Sequence, residues 1–201
     1  MKNKNEYFAI DVSAIAVAEE AIETLKGLTD NTNFSEMGFK SYKEVSIAKL
    51  GTPINVHYMW VKDFKNADLG IQDLIHKGEE ILFPVEVDGV TRCSITLKRR
   101  TLHWEVAAIG QALTTQAITD ICNQNIKQLK NSLSDYILIK MPEIYQNYLA
   151  YYGADDKLEF IHVFDHEPTA AIANSSIKAE DLLSTLRNYA NVHKDALPSL
   201  K

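Results

Sequence analysis

Residues 80–109 read EILFPVEVDGVTRCSITLKRRTLHWEVAAI and contain three candidate β-strands. Apolar and polar side chains alternate in them, as they do in strands that bury one face. The predicted strands are residues 80–87, 90–98 and 102–109. Asp88-Gly89 separates the first two, and this dipeptide favours a two-residue hairpin turn because both of its residues need positive φ. The stretch therefore predicts an antiparallel meander.

The apolar residues of this meander also predict its register. With the tight turn at Asp88-Gly89 and a second turn at Arg99-Arg100, every pair on one face is apolar. The predicted pairs are Leu82 with Ile95, Pro84 with Cys93, Leu97 with Leu102, Ile95 with Trp104 and Cys93 with Val106. We expect this face to be buried beneath helices and the opposite face to meet solvent.

Further helices and strands flank the meander on both sides. Apolar residues three and four apart predict helices, the first capped by Asp11 or Ser13, and alternation predicts strands. The helices are 11–27, 64–75, 111–130 and 178–192, and the strands are 44–50, 54–61, 136–141, 144–152 and 158–164. This order predicts an α+β fold, with antiparallel sheet meanders, helices packed on one face, and two helix-plus-meander halves.

Length and composition predict a single compact domain over residues 1–201, with sub-units 8–110 and 111–197. A hydrophobic share of 46% supports a large core, so neither disulfides nor a structural metal is needed. Cys93 and Cys122 are therefore expected to be free, buried thiols.

The charge and the apolar runs exclude two classes of partner. A net charge of −6 argues against nucleic-acid binding, and charged residues interrupt every apolar run before the roughly 18 residues of a membrane span. Asp11, Glu19 and Glu20 interrupt the segment where an export signal would be apolar. We expect a cytoplasmic protein if the chain is complete, and an exported one if a signal peptide was removed before Met1.

Several short strings resemble a bacterial protein family without an assigned activity. They are Leu50-Gly51-Thr52-Pro53-Ile54, Phe83-Pro84-Val85-Glu86-Val87-Asp88-Gly89, Trp104-Glu105-Val106 and Ile109-Gly110. The resemblance covers residues 44–192 loosely, and its motifs are turns and core strand residues that carry no catalytic group. It implies a fold and no mechanism, and the shape is similar to that of cystatin-like folds. Members of such a family often look exported.

Chemical motifs are nearly absent from the sequence. It contains no Gly-rich nucleotide loop, no HExxH zinc motif and no GxSxG nucleophile motif. A metal site is predicted at His162, Asp165, His166 and Glu167, whose imidazoles and carboxylates suit a transition metal. Residues four apart in a strand are about 13 Å distant, so the chain would have to turn sharply there.

Two surfaces are candidates for contacting a ligand or partner. The outward face of the meander groups Arg92, Ser94, Thr96, His103 and Glu105, with Ser94 opposite Glu105 and Thr96 opposite His103. A hydroxyl, an imidazole and a carboxylate in one patch also suggest a hydrolase, although strand pairing alone does not align them. The second surface is one face of the strand 144–152, which presents Tyr148 and Tyr152.

Three functional classes follow from the sequence. The first is a non-catalytic binding or interaction module for a protein, peptide or small molecule, or for a second copy of the chain. The alternative is a metal-dependent or hydrolytic enzyme built on the region from His162 to His166, and the third is an accessory role without a discrete site. No cofactor is predicted, because no cofactor motif is present.

Overall fold

The computed structural model describes residues 7–129, 133–163 and 176–192. Within them it has an α+β fold in which α-helices pack against one mostly antiparallel sheet, which confirms the predicted class. The helices are α1 (Val12–Leu28), α2 (Tyr42–Ile47), α3 (Ile71–Leu74), α4 (Ala112–Leu129) and α5 (Ala179–Val192). No helix in this part of the chain is long and apolar enough to cross a membrane.

The sheet has nine strands within the described residues. They are β1 (Lys49–Leu50), β2 (Ile54–Tyr58), β3 (His76–Val87), β4 (Val90–Arg100), β5 (His103–Gly110), β6 (Tyr136–Met141), β7 (Gln146–Tyr152), β8 (Leu158–Val163) and β9 (Ile177–Lys178). Their order is β5-β4-β3-β2-β6-β7-β8-β9, with β1 paired to β3. β2 and β6 are parallel, and they join two antiparallel groups of strands.

The central meander forms as predicted, but its register differs. Asp88 and Gly89 have φ of 51° and 76°, as the tight hairpin turn requires. A bulge at Arg92 then moves the β3–β4 pairing by one residue, so that Ile95 faces Phe83 rather than Leu82. The second turn lies at Thr101-Leu102, beyond the predicted Arg99-Arg100, and Trp104 therefore faces Arg99 rather than Ile95.

Helices cover both faces of the sheet, whereas one face was predicted. Neighbouring residues in a strand point to opposite faces. In β3, Phe83 packs in a cluster with Ala18 of α1, while Leu82 packs in a cluster with Ile118 of α4. α5 lies on the same face as α1. Leu186 of α5 shares a cluster with Ile137 of β6. Ile137 and Ile81 both pair with Asn55 of β2, so they point to the same face, and Ile81 packs in the cluster that contains α1.

Two predicted elements are wrong, and so are two predicted core residues, Leu102 and Val106, of which Val106 is 44% exposed. The expected strand 44–50 is the short helix α2 followed by the two residues of β1, and Val45 and Ala48, three apart, are its buried contacts. The expected helix 64–75 is a 3₁₀ turn, Val61–Lys65, and the single turn of α3, which starts at Gly70. Leu102 is 88% exposed because it sits in the β4–β5 turn.

Candidate functional site

The polar face of the meander is not a solvated patch. Ser94 is 1% exposed, because this face lies beneath α4, and its hydroxyl donates to the carbonyl oxygen of Gly110 at 3.0 Å. Ser94 pairs with Gly110 rather than Glu105, and Thr96 pairs with Ala108 rather than His103. The structure therefore contradicts the predicted grouping of hydroxyl, imidazole and carboxylate.

The charged members of that group lie apart from one another. Arg92 is buried and donates to Glu44 of α2 at 2.7 Å. Glu105 accepts from Arg100 at 2.6 Å across the hairpin end, and His103 is exposed beside it. Each charge has a local structural partner, and no shared site results.

The tyrosines of the second candidate surface are mostly interior. Tyr148 is 5% exposed and packs edge-on against Phe160, so it does not lie on an exposed face as expected. Tyr152 is half-buried and lies against Phe8. Tyr145 is 90% exposed, but it precedes β7 and belongs to neither strand face.

The predicted metal site stays a prediction. His162 lies in β8, with its ring 5.0 Å from that of Tyr148. Asp165, His166 and Glu167 lie outside the described residues. Elsewhere in the part of the chain that the structure describes, no three His, Cys, Asp or Glu side chains come together to hold a metal.

A polar trough opens on the face of the sheet that carries α1. Its volume is about 350 Å³, within the range of small-ligand sites. Strands β2 to β5 form its floor, and residues 7–11, which we call the strap, form one wall through Ala9 and Asp11. Its lining includes Asn55, His57, Lys77, Glu79, Arg99 and Trp104.

Two polar side chains of β2 tie the strap to the sheet. Asn55 donates through Nδ2 to the carbonyl oxygens of Tyr7 and Ala9, both at 3.0 Å. His57 Nε2 lies 2.9 Å from the carbonyl oxygen of Tyr7. These residues alternate with the apolar Ile54 and Val56 of the same strand, so the strap wall is fixed to a buried strand.

Hydrogen bonds occupy both nitrogens of His57. Its Nδ1 accepts from the backbone N–H of Gly78 at 3.0 Å, so Nε2 carries the proton that is donated to the carbonyl of Tyr7. Burial lowers the pKa of His57, and the charge of Lys77 lowers it further. A neutral imidazole with no free lone pair cannot take a proton from a bound molecule, so His57 supports the wall rather than any chemistry.

Asp11 joins the strap to the far side of the trough. As the N-cap of α1, it accepts through Oδ1 from the backbone N–H and the hydroxyl of Ser13, and its Oδ2 accepts from the indole of Trp104 at 3.2 Å. Arg99 lies 3.5 Å from the same Oδ2 and 6.0 Å above the Trp104 ring. Hydrogen bonds from Ser13 are the largest cause of the lowered pKa of Asp11, with the Trp104 bond and Arg99 adding to it.

Two charges of the trough are not neutralised by close partners. Lys77 and Glu79 lie on β3, are exposed, and make no ion pair or side-chain hydrogen bond with any residue that the structure describes. The neighbouring Glu80 differs, because its carboxylate lies 3.3 Å from Lys140 Nζ and 3.7 Å from Lys98 Nζ. The trough thus offers one ammonium and one carboxylate to a visiting molecule.

Two other surfaces lie outside the trough. A second cleft of about 680 Å³ lies between the end of α1 and the β3–β4 hairpin, where the carboxyl group of Glu86 has a pKa raised by burial. Strand β5 forms one edge of the sheet, but a bulge at Ala107 distorts it. Such bulges discourage the pairing of a further strand.

Comparison with known proteins adds no relative. No family model matches the chain, and no match is found among curated proteins or solved structures. The assignment of a function therefore depends on the chemistry of the trough.

Proposed function

We propose that the chain is a non-catalytic binding module whose trough takes a small polar ligand. The observation that carries this proposal is a concave site of about 350 Å³ lined by an indole and by two charges, Lys77 and Glu79, that lack close partners among the described residues. Ligand sites of this size bury most of a small molecule and orient it with a few polar groups. The strap and the sheet form the site together.

The state of His57 favours binding over catalysis. Histidine is the side chain that most often transfers protons near neutral pH. Here both ring nitrogens of His57 hold backbone groups of the protein, at 2.9 and 3.0 Å. A ligand in the trough would meet fixed charges and an aromatic ring, but no imidazole able to exchange a proton with it.

A ligand screen on paired variants tests the proposal. Ala9→Trp fills the trough from the strap, whereas Ala154→Trp adds the same side chain in the exposed turn between β7 and β8. We expect saturation-transfer NMR with a library of small polar metabolites to give binders to the wild type and to Ala154→Trp, and to lose them in Ala9→Trp. Binders that Ala9→Trp retains in full, or a library without any binder, would contradict the proposal.

A further inference from the structure

We propose that the trough selects a zwitterion: a small molecule with a carboxylate and an ammonium group close together, as in a free amino acid or a short peptide. This inference rests on the proposed function of the trough and names the class of its ligand. It comes from the balance of charges that the folded chain leaves without partners in the trough.

The charges of Asp11 and Arg99 are already committed to the protein. Asp11 accepts three hydrogen bonds, two from Ser13 and one from Trp104, and Arg99 lies 3.5 Å from its Oδ2. A ligand carboxylate at Arg99 would compete with Asp11, and a ligand ammonium at Asp11 would compete with Arg99. Neither residue therefore sets the net charge of the ligand.

Lys77 and Glu79 supply the opposite pair that remains. Both residues line the trough, one on each side of Gly78, and the Cα atoms of residues two apart in a chain lie within about 7 Å, close enough for one small molecule to reach both side chains. A ligand carboxylate would bind the Lys77 ammonium, and the ligand ammonium would bind the Glu79 carboxylate.

A ligand with a single charge fits this pair less well. A simple anion at Lys77 would be repelled by the nearby carboxylate of Glu79, and a simple cation at Glu79 would be repelled by the nearby ammonium of Lys77. A zwitterion meets both side chains with the opposite sign. The indole of Trp104, which is half-buried in the trough, offers an apolar surface for the rest of the ligand.

Exposure limits the strength of each charge contact. Exposed ion pairs change a binding constant by about two- to fivefold. We therefore expect Lys77→Met and Glu79→Gln each to weaken binding of the zwitterion by roughly that factor. Lys43→Met and Glu36→Gln serve as matched controls, because both residues are exposed and neither lines the trough.

The test compares three series of probes by NMR titration of the wild-type chain. The first is the standard free L-amino acids and their glycyl dipeptides, the second their N-acetyl derivatives, which lack the ammonium, and the third their amides, which lack the carboxylate. We expect binding in the first series, weaker binding in the other two, and the two- to fivefold losses in the trough variants alone. Equal binding of the N-acetyl or amide series, or equal losses in the control variants, would overturn the zwitterion inference.

Failure of this inference is distinguishable from failure of the proposed function. Suppose that none of the three series binds, while another library compound binds the wild type and fails to bind Ala9→Trp. The trough is then a binding site for a different class of ligand, and the zwitterion inference is wrong. If no compound of either collection binds, both the inference and the proposed function are wrong.

Discussion

Replacing His57 by phenylalanine should destabilise the protein by about 2–4 kcal/mol at pH 7.5. The ring is kept, but its hydrogen bond to the carbonyl of Tyr7 is lost, at about 0.5–1.5 kcal/mol. The backbone N–H of Gly78 also loses its acceptor inside the sheet, which costs about 1–3 kcal/mol. Urea unfolding followed by tryptophan fluorescence measures the change.

The same variant should remove a component of acid sensitivity. Burial lowers the folded-state pKa of His57 below its ordinary 6.5, so the unfolded chain takes up a proton first as the pH falls. His57 thus contributes stability that is complete above pH 6.5 and is lost as the pH falls from 6.5 through the lower folded-state pKa. The slope from one group is at most about 1.4 kcal/mol per pH unit.

Exposed His103 provides the control for the stability measurement. His103→Gln should leave the free energy of unfolding at pH 7.5 within about 0.5 kcal/mol of the wild type. A His57→Phe protein that loses less than about 0.5 kcal/mol, or one whose stability falls with pH as steeply as that of the wild type, would refute the assigned hydrogen bonds.

Three further changes test the packing around the trough and sheet. Gly78→Ala should destabilise the protein by more than about 2 kcal/mol in urea unfolding, because the added Cβ would lie 2.0 Å from a β2 carbonyl oxygen. Gly27→Ala, which adds a Cβ in open space on α1, should stabilise the protein by about 0.5–1 kcal/mol. The reverse order of stabilities would contradict the backbone geometry at Gly78. Thr115→Val should stabilise by about 1 kcal/mol or more in the same assay, because the buried Thr115 hydroxyl has no hydrogen-bond partner in the part of the chain that the structure describes, and a loss of stability would count against this environment. Cys93 and Cys122 should react with a thiol reagent at pH 8 only after denaturation, because both are buried and burial raises the pKa of Cys93 to about 12. Rapid labelling of the native protein would show that the thiols are accessible.

Local signals in the sequence were sufficient for most of the elements. The helices over residues 12–28, 112–129 and 179–192 follow from apolar residues three and four apart, and the hairpin follows from Asp88-Gly89. The register of the meander was not readable in the same way. Because of the bulge at Arg92, Ile95 pairs with Phe83 instead of Leu82. Both of these β3 side chains are apolar, so the alternation of apolar and polar residues did not distinguish the two registers.

The position of α4 was hidden by the polarity of the strand beneath it. Ser94 and Thr96 suggested a solvated face, but both are small enough to pack under a helix. The hydroxyl of Ser94 is satisfied by the carbonyl of Gly110, so its burial leaves no unpaired donor. Alternation of polarity indicates which residues share a face, but it does not show whether a helix will cover that face.

The sequence contained one indication of the trough. Asn55 and His57 alternate with apolar residues in a strand that is buried on both sides. Buried polar side chains need partners, and here the partners are backbone carbonyls of the strap, more than 45 residues away along the chain. Contacts between such distant segments depend on the tertiary fold, so the wall of the site could not be read from local pattern.

Chemical-shift mapping of the ¹⁵N-labelled chain with the tightest ligand from the screen tests the central claim most directly. We predict that the largest shifts fall on the amides of Ala9, Asp11 and Glu79 and on the indole N–H of Trp104. Shifts concentrated along the β5 edge or in the cleft beside Glu86, with these trough signals unmoved, would contradict the claim that the strap and the sheet together form the binding site.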